Sequence, residues 1–503
     1  MKIICSKKQI VGYADRKILG HFLEHFHRQI YGGVFDPASK FADEDGFRED
    51  VTEALKRIKT PVIRWPGGCY VSAYHWKHGV GKERIPDYDK AWRVEESHRF
   101  GTDEFVKLCR KIGCEPYICT NAGTGNAEEM SDWVEYCNLG EMGRFAKQRI
   151  ANGFPEPHKI RYWSIGNENW GGHEIGAKDA AEWGKLVRES AKMMLRVDPT
   201  IELSAASIPD LDWNLNLLRE AGKYLDWISI HGYWGNTENG LIPEDYNSVI
   251  LHTGEDISGS VNRVRAYLKA LGLEKKIKIA YDEWNLRGWW HPNTIDISNR
   301  KIQRREDDTF YREKVIAERD KNDINSIYTM ADAVFSASFL NTCLGNCDLV
   351  QMACFSPIVN TRGAIFTYPD GIVLRPQYFV FELYANYLKN TVLDLWKEDV
   401  PKVSGNVSNE GKTVDIIDMI MTFDGKEYAA AAINKDPEKE QRIDIRFFDD
   451  MPREMRIHTL NGPSCNAYND VGKTQVGVTV SEWTVFQGTI DLPAHSVNIV
   501  EIR

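Results

Sequence analysis

From about Ile18 to about Asn386, short apolar runs alternate with longer amphipathic, charged stretches, and no other feature constrains the fold as strongly. The runs expected to be strands are Ile18–Glu24, Pro61–Trp65, Pro116–Asn121, Ile160–Asn167, Ile201–Ala206, Trp227–His231, Ile277–Glu283 and Leu349–Phe355. Helices are expected between them, over Asp50–Lys59, Thr102–Ile112, Ala177–Val197, Trp213–Ala221, Ser258–Leu271 and Ile327–Thr342. Strand–helix alternation implies a parallel sheet covered by helices, because each parallel crossover needs a long connection. Eight such strands predict an α/β fold: a (β/α)₈ TIM barrel with large loops, over residues 16–390.

From about Thr391 the pattern changes to short alternating runs separated by turn signals such as Asp424-Gly425 and Asn461-Gly462-Pro463. The runs are Thr413–Met421, Glu427–Asn434, Gln441–Phe447, Met455–Leu460, Thr489–Leu492 and Ser496–Ile502. They predict a second domain, 391–503, built as a jelly-roll-like antiparallel β-sandwich. The most charged segment, Arg300–Asp323, carries mixed signs and reads as a solvated insertion after the seventh barrel strand.

The chain has 503 residues, 42% of them hydrophobic, with 27% charged and a net charge of −10. That balance provides no basic face for nucleic acid or an anionic membrane. No apolar stretch approaches the roughly 20 residues of a membrane span. The N-terminus "MKIICSKKQIVGYADRK" carries no export-signal core, so a cytoplasmic protein is expected. Its ten scattered cysteines are then expected to be reduced thiols. Cys109/Cys114 and Cys343/Cys347 lack zinc-type spacing, and no metal or organic cofactor is expected. "GTGNAE" fails the dinucleotide fingerprint because Glu128 stands at its last glycine position. The segment ending in Gly81-Lys82 fails the phosphate-loop pattern at Trp76 and Glu83.

In a barrel of this kind the active site lies at the C-terminal strand ends. Three glutamates close predicted strands there: Glu24, Glu168 and Glu283. Two have similar settings, Asn167-Glu168-Asn169-Trp170 and Asp282-Glu283-Trp284-Asn285. They end strands four and seven, which places them across the barrel mouth from each other. Facing carboxylates are what glycoside hydrolysis uses, one as a proton donor and the other as a nucleophile or base. Trp170, Trp284, Trp289 and Trp290 are expected to offer apolar platforms for sugar faces. Asn167 is placed to hydrogen-bond the hydroxyl beside the reacting carbon. Gly67-Gly68 in "RWPGGCY" reads as a tight turn bringing backbone close to a ligand, and His231 and Tyr233 end strand six.

The ordered set "FLEHF", "RWPGGCYVSAYHWKHGVG", "FGTDEF", "GNENWG", "SIHGYW", "DEWN" and the closing "LPAHSVNIVEI" resembles glycoside hydrolase family 51, the α-L-arabinofuranosidases, over nearly the whole chain. The resemblance implies a barrel whose C-terminal sandwich recruits the N-terminal residues 1–15. It implies a retaining, exo-acting double displacement on arabinose-containing oligo- and polysaccharides, without a cofactor, in a homo-oligomer. By position, Glu168 matches the acid/base and Glu283 the nucleophile. Glu24 matches a glutamate binding arabinose hydroxyls, Asn167 the amide at the 2-hydroxyl, and Tyr233 the tyrosine beside the nucleophile. Arg64 matches the arginine near the nucleophile, and Cys69 a sugar-contacting position. His231 and Trp290 are further expected substrate contacts.

The sequence also departs from the family pattern. His98 stands in "ESHRFG" where many members have Asn, and Gln351 in "DLVQMACFSPIVN" does not match the family's strand-eight glutamine. "GWWHPN" and the 300–323 insertion are expected to shape the outer subsites. These departures leave open the same machinery acting as a β-D-xylosidase, β-D-galactofuranosidase or endo-β-1,4-glucanase. A non-catalytic sugar-binding protein on the same scaffold is the remoter alternative.

Overall fold

A computed structural model describes residues 1–235, 245–287, 313, 316–317, 319–407, 410–449 and 451–503. All eight predicted barrel strands are present: β1 (Gly20–Phe22), β2 (Val62–Trp65), β3 (Glu115–Thr120), β4 (Tyr162–Ile165), β5 (Glu202–Ala205), β6 (Trp227–Gly235), β7 (Lys278–Arg287) and β8 (Val350–Phe355). They pair in parallel in the order β5-β4-β3-β2-β1-β8-β7-β6. A parallel bridge between Ala206 and Ser229 joins the two ends and closes the ring.

The strands read as continuous apolar runs because both faces are covered. Inward-pointing Phe22, Val62, Tyr117, Tyr162, Trp227, Ala280, Met352 and Cys354 fill the ring as one cluster, so the barrel is a packed core and not a pore. The first strand is shorter than expected. Asp15 accepts a hydrogen bond from the Lys17 amide and caps a 3₁₀ turn over Arg16–Leu19, which takes up Ile18 and Leu19 of the predicted run.

The six predicted helices form, with their ends set by caps. The Glu104 side chain accepts from the Gly101 amide at the start of Thr102–Ile112, and Gly113 closes that helix in the left-handed conformation. Asp179 and Glu182 form a capping box on Ala180–Val197. Helix Met330–Leu344 is buried along nearly its whole length. It lies between the barrel and the C-terminal sheet, where Asn341 donates to the Ala431 carbonyl at 3.3 Å. No helix among the described residues is long and apolar enough to cross a membrane.

The C-terminal sheet runs in the order Gly477–Val480, Glu454–Asn461, Ser496–Ile502, Tyr428–Asn434, Ile417–Phe423, Thr391–Glu398, Lys2–Tyr13, Gln441–Phe447 and Thr489–Leu492. The N-terminal strand Lys2–Tyr13 pairs antiparallel with Thr391–Glu398 and parallel with Gln441–Phe447, so the sheet is mostly but not wholly antiparallel. The expected strand Thr413–Met421 is instead two strands, Glu410–Asp415 and Ile417–Phe423.

Strand Tyr428–Asn434 is buried on both faces, which explains its unalternating "YAAAAIN". Ala430 and Ala432 join Ile3, Met419, Met421, Val500 and Ile502 in the sheet's own core. Ala431 and Ile433 face the large core shared with the barrel. The small alanines let helix Met330–Leu344 approach closely.

Ile3 is fully buried in the sheet core, whereas Ile10 on the same strand is 47% exposed. Ile3→Ala is expected to cost about 2–5 kcal/mol through lost burial and a residual cavity. Ile10→Ala is expected to cost within about 0.5 kcal/mol. Chemical denaturation of the two variants beside the wild type checks this, with a clearly lowered unfolding midpoint for Ile3→Ala alone.

Candidate active site

Asp282 and Glu283 are consecutive, yet both side chains are buried among the groups at the barrel mouth. In a regular strand they would point to opposite faces. The pairing of β7 slips between Ala280 and Glu283 against β6, and between Tyr281 and Trp284 against β8. This bulge turns both carboxylates toward the ring. Trp284 then points outward and stacks on Phe339 with centroids 3.8 Å apart. It is fully buried in the helical sheath and cannot serve as the sugar platform expected of it. Trp170 is half-buried beside His173. Trp289 and Trp290 lie outside the described residues.

Arg64, projecting from β2 and fully buried, ties the mouth together. Its Nη1 donates to Glu283 Oε1 at 2.6 Å and its Nη2 to Asn167 Oδ1 at 2.9 Å. Its Nε lies 3.3 Å from Asp282 Oδ2. Tyr233 donates from its hydroxyl to Glu283 Oε2 at 2.7 Å and lies 2.9 Å from Ser356 Oγ at the end of β8. Asp282 also accepts from Tyr117 at 2.8 Å and from Ser229.

Glu168 follows β4 with φ of +42°, a left-handed conformation uncommon outside glycine and typical of constrained functional positions. His231 Nδ1 is 2.7 Å from its Oε1, and His173 Nε2 is 2.8 Å from its Oε2. Oxygen atoms of Glu168 and Glu283 and a nitrogen of His231 all lie within 4.8 Å of one another. The two carboxylates thus face each other across the mouth at a separation suited to one sugar carbon.

The glycine turn after β2 explains its own composition. A Cβ on Gly67 would sit 2.4 Å from Glu24 Cγ, and one on Gly68 would sit 2.8 Å from Glu283 Oε1. Glu24 receives the Tyr70 amide at 3.0 Å and the Trp92 indole N–H at 2.9 Å. Asn167 is held from both sides, by Arg64 at its oxygen and by Glu174 at its nitrogen (3.3 Å). Cys69 Sγ lies within 4.8 Å of ligand atoms of both His173 and Glu174.

Five carboxylates share this site with one arginine, so their protonation states must differ. Burial, reinforced by the charge of Glu283, pushes Glu24 well above the usual carboxylate range. Burial raises Glu174 to about 7. Burial opposes ionisation of Glu168 as well, but the hydrogen bonds from His173 and His231 outweigh it and hold its carboxyl well below the usual range. Burial disfavours a charged His231, yet Glu283, Asp282 and Glu168 together push it up to about 10. Burial likewise works against ionised Asp282, which Arg64 and His231 hold low. The thiol of Cys69 is pushed well up by burial and by Glu174. These directions favour a carboxylate at Glu168 and an imidazolium at His231.

Two family models match the chain. One described as "Alpha-L-arabinofuranosidase 1 domain" covers residues 54–244, and one described as "Alpha-L-arabinofuranosidase C-terminal domain" covers 282–496. The intracellular exo-α-(1→5)-L-arabinofuranosidase 1 of Bacillus subtilis is 31% identical over 462 residues, spanning 89% of this chain and 87% of its own. The chain belongs to the family 51 α-L-arabinofuranosidases. The arabinose complex of the Thermotoga maritima enzyme superposes with a TM-score of 0.84 at 32% identity, covering 99% of each chain. The Thermotoga petrophila family 51 enzyme gives 0.84 at 33% identity over 100% of both.

The structure brings together Glu24, Arg64, Cys69, Asn167, Glu168, His231, Tyr233 and Glu283. Sequence reading missed Asp282, Ser356, His173, Glu174 and Trp92. The charge and strand-end position of Asp282 were visible, but its inward aim depends on a bulge with no local signature. Gln351 sits near the start of β8, where its amide lies 3.4 Å from the Cys347 carbonyl, away from the mouth. It is Ser356 that touches Tyr233 at that strand's C-terminal end.

A raised folded-state pKa means that His231 contributes stability present in full below the unfolded value of about 6.5. That contribution is lost as pH rises through about 10. Glu168→Gln removes one of its partners but leaves Glu283 and Asp282. Histidine NMR titration is expected to show the His231 pKa falling in the variant while staying above about 6.5. An unchanged pKa would show that the short contact with Glu168 carries no charge coupling.

Proposed function

We propose that the protein removes terminal α-L-arabinofuranosyl residues from arabinose-containing oligosaccharides, with retention of configuration. The observation that carries this reading is the placement of Glu168 and Glu283 within 4.8 Å across the mouth, each held by different partners. Such a gap suits a nucleophile and an acid/base flanking one anomeric carbon, and leaves no room for the water an inverting pair needs between them. The names of the Bacillus subtilis and Halalkalibacterium halodurans relatives, both intracellular exo-α-(1→5)-L-arabinofuranosidases, support the sugar and the exo mode. They also support action inside the cell.

In the first step the Glu283 carboxylate, oriented by Arg64 and Tyr233, attacks the anomeric carbon. The glycosidic C–O bond breaks and its oxygen takes a proton from Glu168. That proton rests on His231 in the free site. His231, 2.7 Å away, is positioned to pass it to Glu168 when substrate binds. In the second step Glu168 removes a proton from water, the hydroxide oxygen bonds to the anomeric carbon, and Glu283 leaves as a carboxylate. Two displacements restore the starting configuration. Asn167, with its amide orientation fixed by Arg64 and Glu174, presents its N–H group to the neighbouring hydroxyl. Glu24 and the Cys69 side chain contact the remaining hydroxyls.

Glu283→Ala is expected to abolish turnover of aryl α-L-arabinofuranosides and to lower the melting temperature, since buried Arg64 loses an acceptor, while the circular dichroism spectrum stays near wild type. Glu168→Ala is expected to lose about 10²- to 10⁴-fold on natural oligosaccharides, and much less kcat/KM on a dinitrophenyl glycoside, whose leaving group needs no proton. Equal losses on both substrates would overturn the acid role. Retained activity in Glu283→Ala would overturn the nucleophile assignment.

A further inference from the structure

After β2 the chain folds over the mouth through 3₁₀ turns at Cys69–Ala73 and Trp76–Gly79. It then forms a small hairpin, Asp87–Asp89 paired antiparallel with Val94–Glu96. The hairpin tip carries Trp92, which donates to Glu24 in the active site. At the hairpin base, three side chains from three separate pieces of backbone converge. His78 Nδ1 is 2.5 Å from Asp87 Oδ2, and His98 Nε2 is 3.2 Å from the same oxygen. One ligand atom from each residue lies within 4.8 Å of the other two.

We infer that His78, Asp87 and His98 bind one borderline divalent ion of the Zn²⁺, Co²⁺ or Ni²⁺ class, which pins the hairpin base to the loop beneath it. Two imidazoles and one carboxylate form the donor set these ions favour, with nitrogen and oxygen ligands near 2.0–2.2 Å, and a position is left open for water. Calcium and magnesium would want more oxygen ligands than the three residues offer. Both ring nitrogens face the same carboxylate oxygen. A dication between them would let all three groups face one charge.

His98 is buried and adopts φ of +53°, so its ring is held in place. Its Nδ1 faces the Tyr70 hydroxyl at 3.4 Å. A hydroxyl can donate or accept, so Tyr70 supports either tautomer and fixes the ring as partners of metal-binding histidines do. The side chains of His78 and Asp87 are 30% and 41% exposed, which gives an ion a path in. Neighbouring groups carry both signs: Arg84 donates to the His98 carbonyl, and Glu96 accepts from the His98 amide.

The test is isothermal titration of chelator-treated full-length protein with Zn²⁺, repeated with Co²⁺ to read its ligand-field absorption. The wild type is expected to bind one ion per chain and to melt at a higher temperature when loaded. His78→Ala and Asp87→Asn are expected each to weaken binding at least about tenfold and to lose the thermal shift. His78 is partly exposed, so its alanine variant should fold and melt as the metal-free wild type does. Absence of one-to-one binding would overturn the inference. Undiminished binding in a folded His78→Ala would also overturn it, placing the ion elsewhere, for example at Cys69, His173 and Glu174.

Discussion

Everything at the barrel mouth depends on the buried guanidinium of Arg64. A fully buried charge is costly unless its donors are matched by acceptors. Here they reach the side chains of Asn167, Asp282 and Glu283, from the ends of two other strands. One side chain therefore sets the positions of β2, β4 and β7 relative to one another. It holds one oxygen of Glu283 while Tyr233 holds the other, so the carboxyl group is oriented from both sides. Arginine suits this task because its planar fork addresses several acceptors at once, which a lysine ammonium does not do with the same geometry.

Around that anchor the site separates carboxylates that would otherwise be alike. Glu24 and Glu174 have few cationic neighbours, and burial drives them toward the neutral form. Glu168 has two histidines and remains ionised in the free protein. The raised pKa of His231, one hydrogen bond away, makes it the proposed store of the proton that catalysis requires. Binding of an uncharged sugar can then transfer it without importing one from solvent. The left-handed backbone at Glu168, the bulge at Asp282 and the close approach of Gly67 and Gly68 are local departures from regular geometry. All three gather where the chemistry is, as expected when strain is retained for function.

How much was legible in the sequence follows from the range of each interaction. Burial on both faces makes barrel strands into continuous apolar runs, so their number and order could be read directly. The helices with strong amphipathic periods and caps, such as Thr102–Ile112, were equally plain. Glu168 and Glu283 stood out because strand ends and matched neighbours are local features. The facing of Asp282, the histidine pair on Glu168 and the reach of Trp92 to Glu24 depend on bulges and long loops, which leave no periodic trace. Trp284 shows the opposite failure. An aromatic next to a predicted nucleophile suggested a sugar platform, but strand alternation past the bulge turned it into the core against Phe339. The parallel pairing of the first strand with Gln441–Phe447 could not be read from alternation, which is the same for parallel and antiparallel partners in a half-buried sheet.

The central claim is that Glu283 forms a covalent bond to the sugar while Glu168 manages the proton. Its most direct test is mass spectrometry of Glu168→Ala mixed with a dinitrophenyl α-L-arabinofuranoside and quenched in acid. Without the base that activates water, the second step should stall. The account predicts a protein heavier by one anhydropentose, with the added mass on the peptide containing Glu283. An unmodified protein that still releases dinitrophenol in a stoichiometric burst, or a label on any other residue, would contradict it.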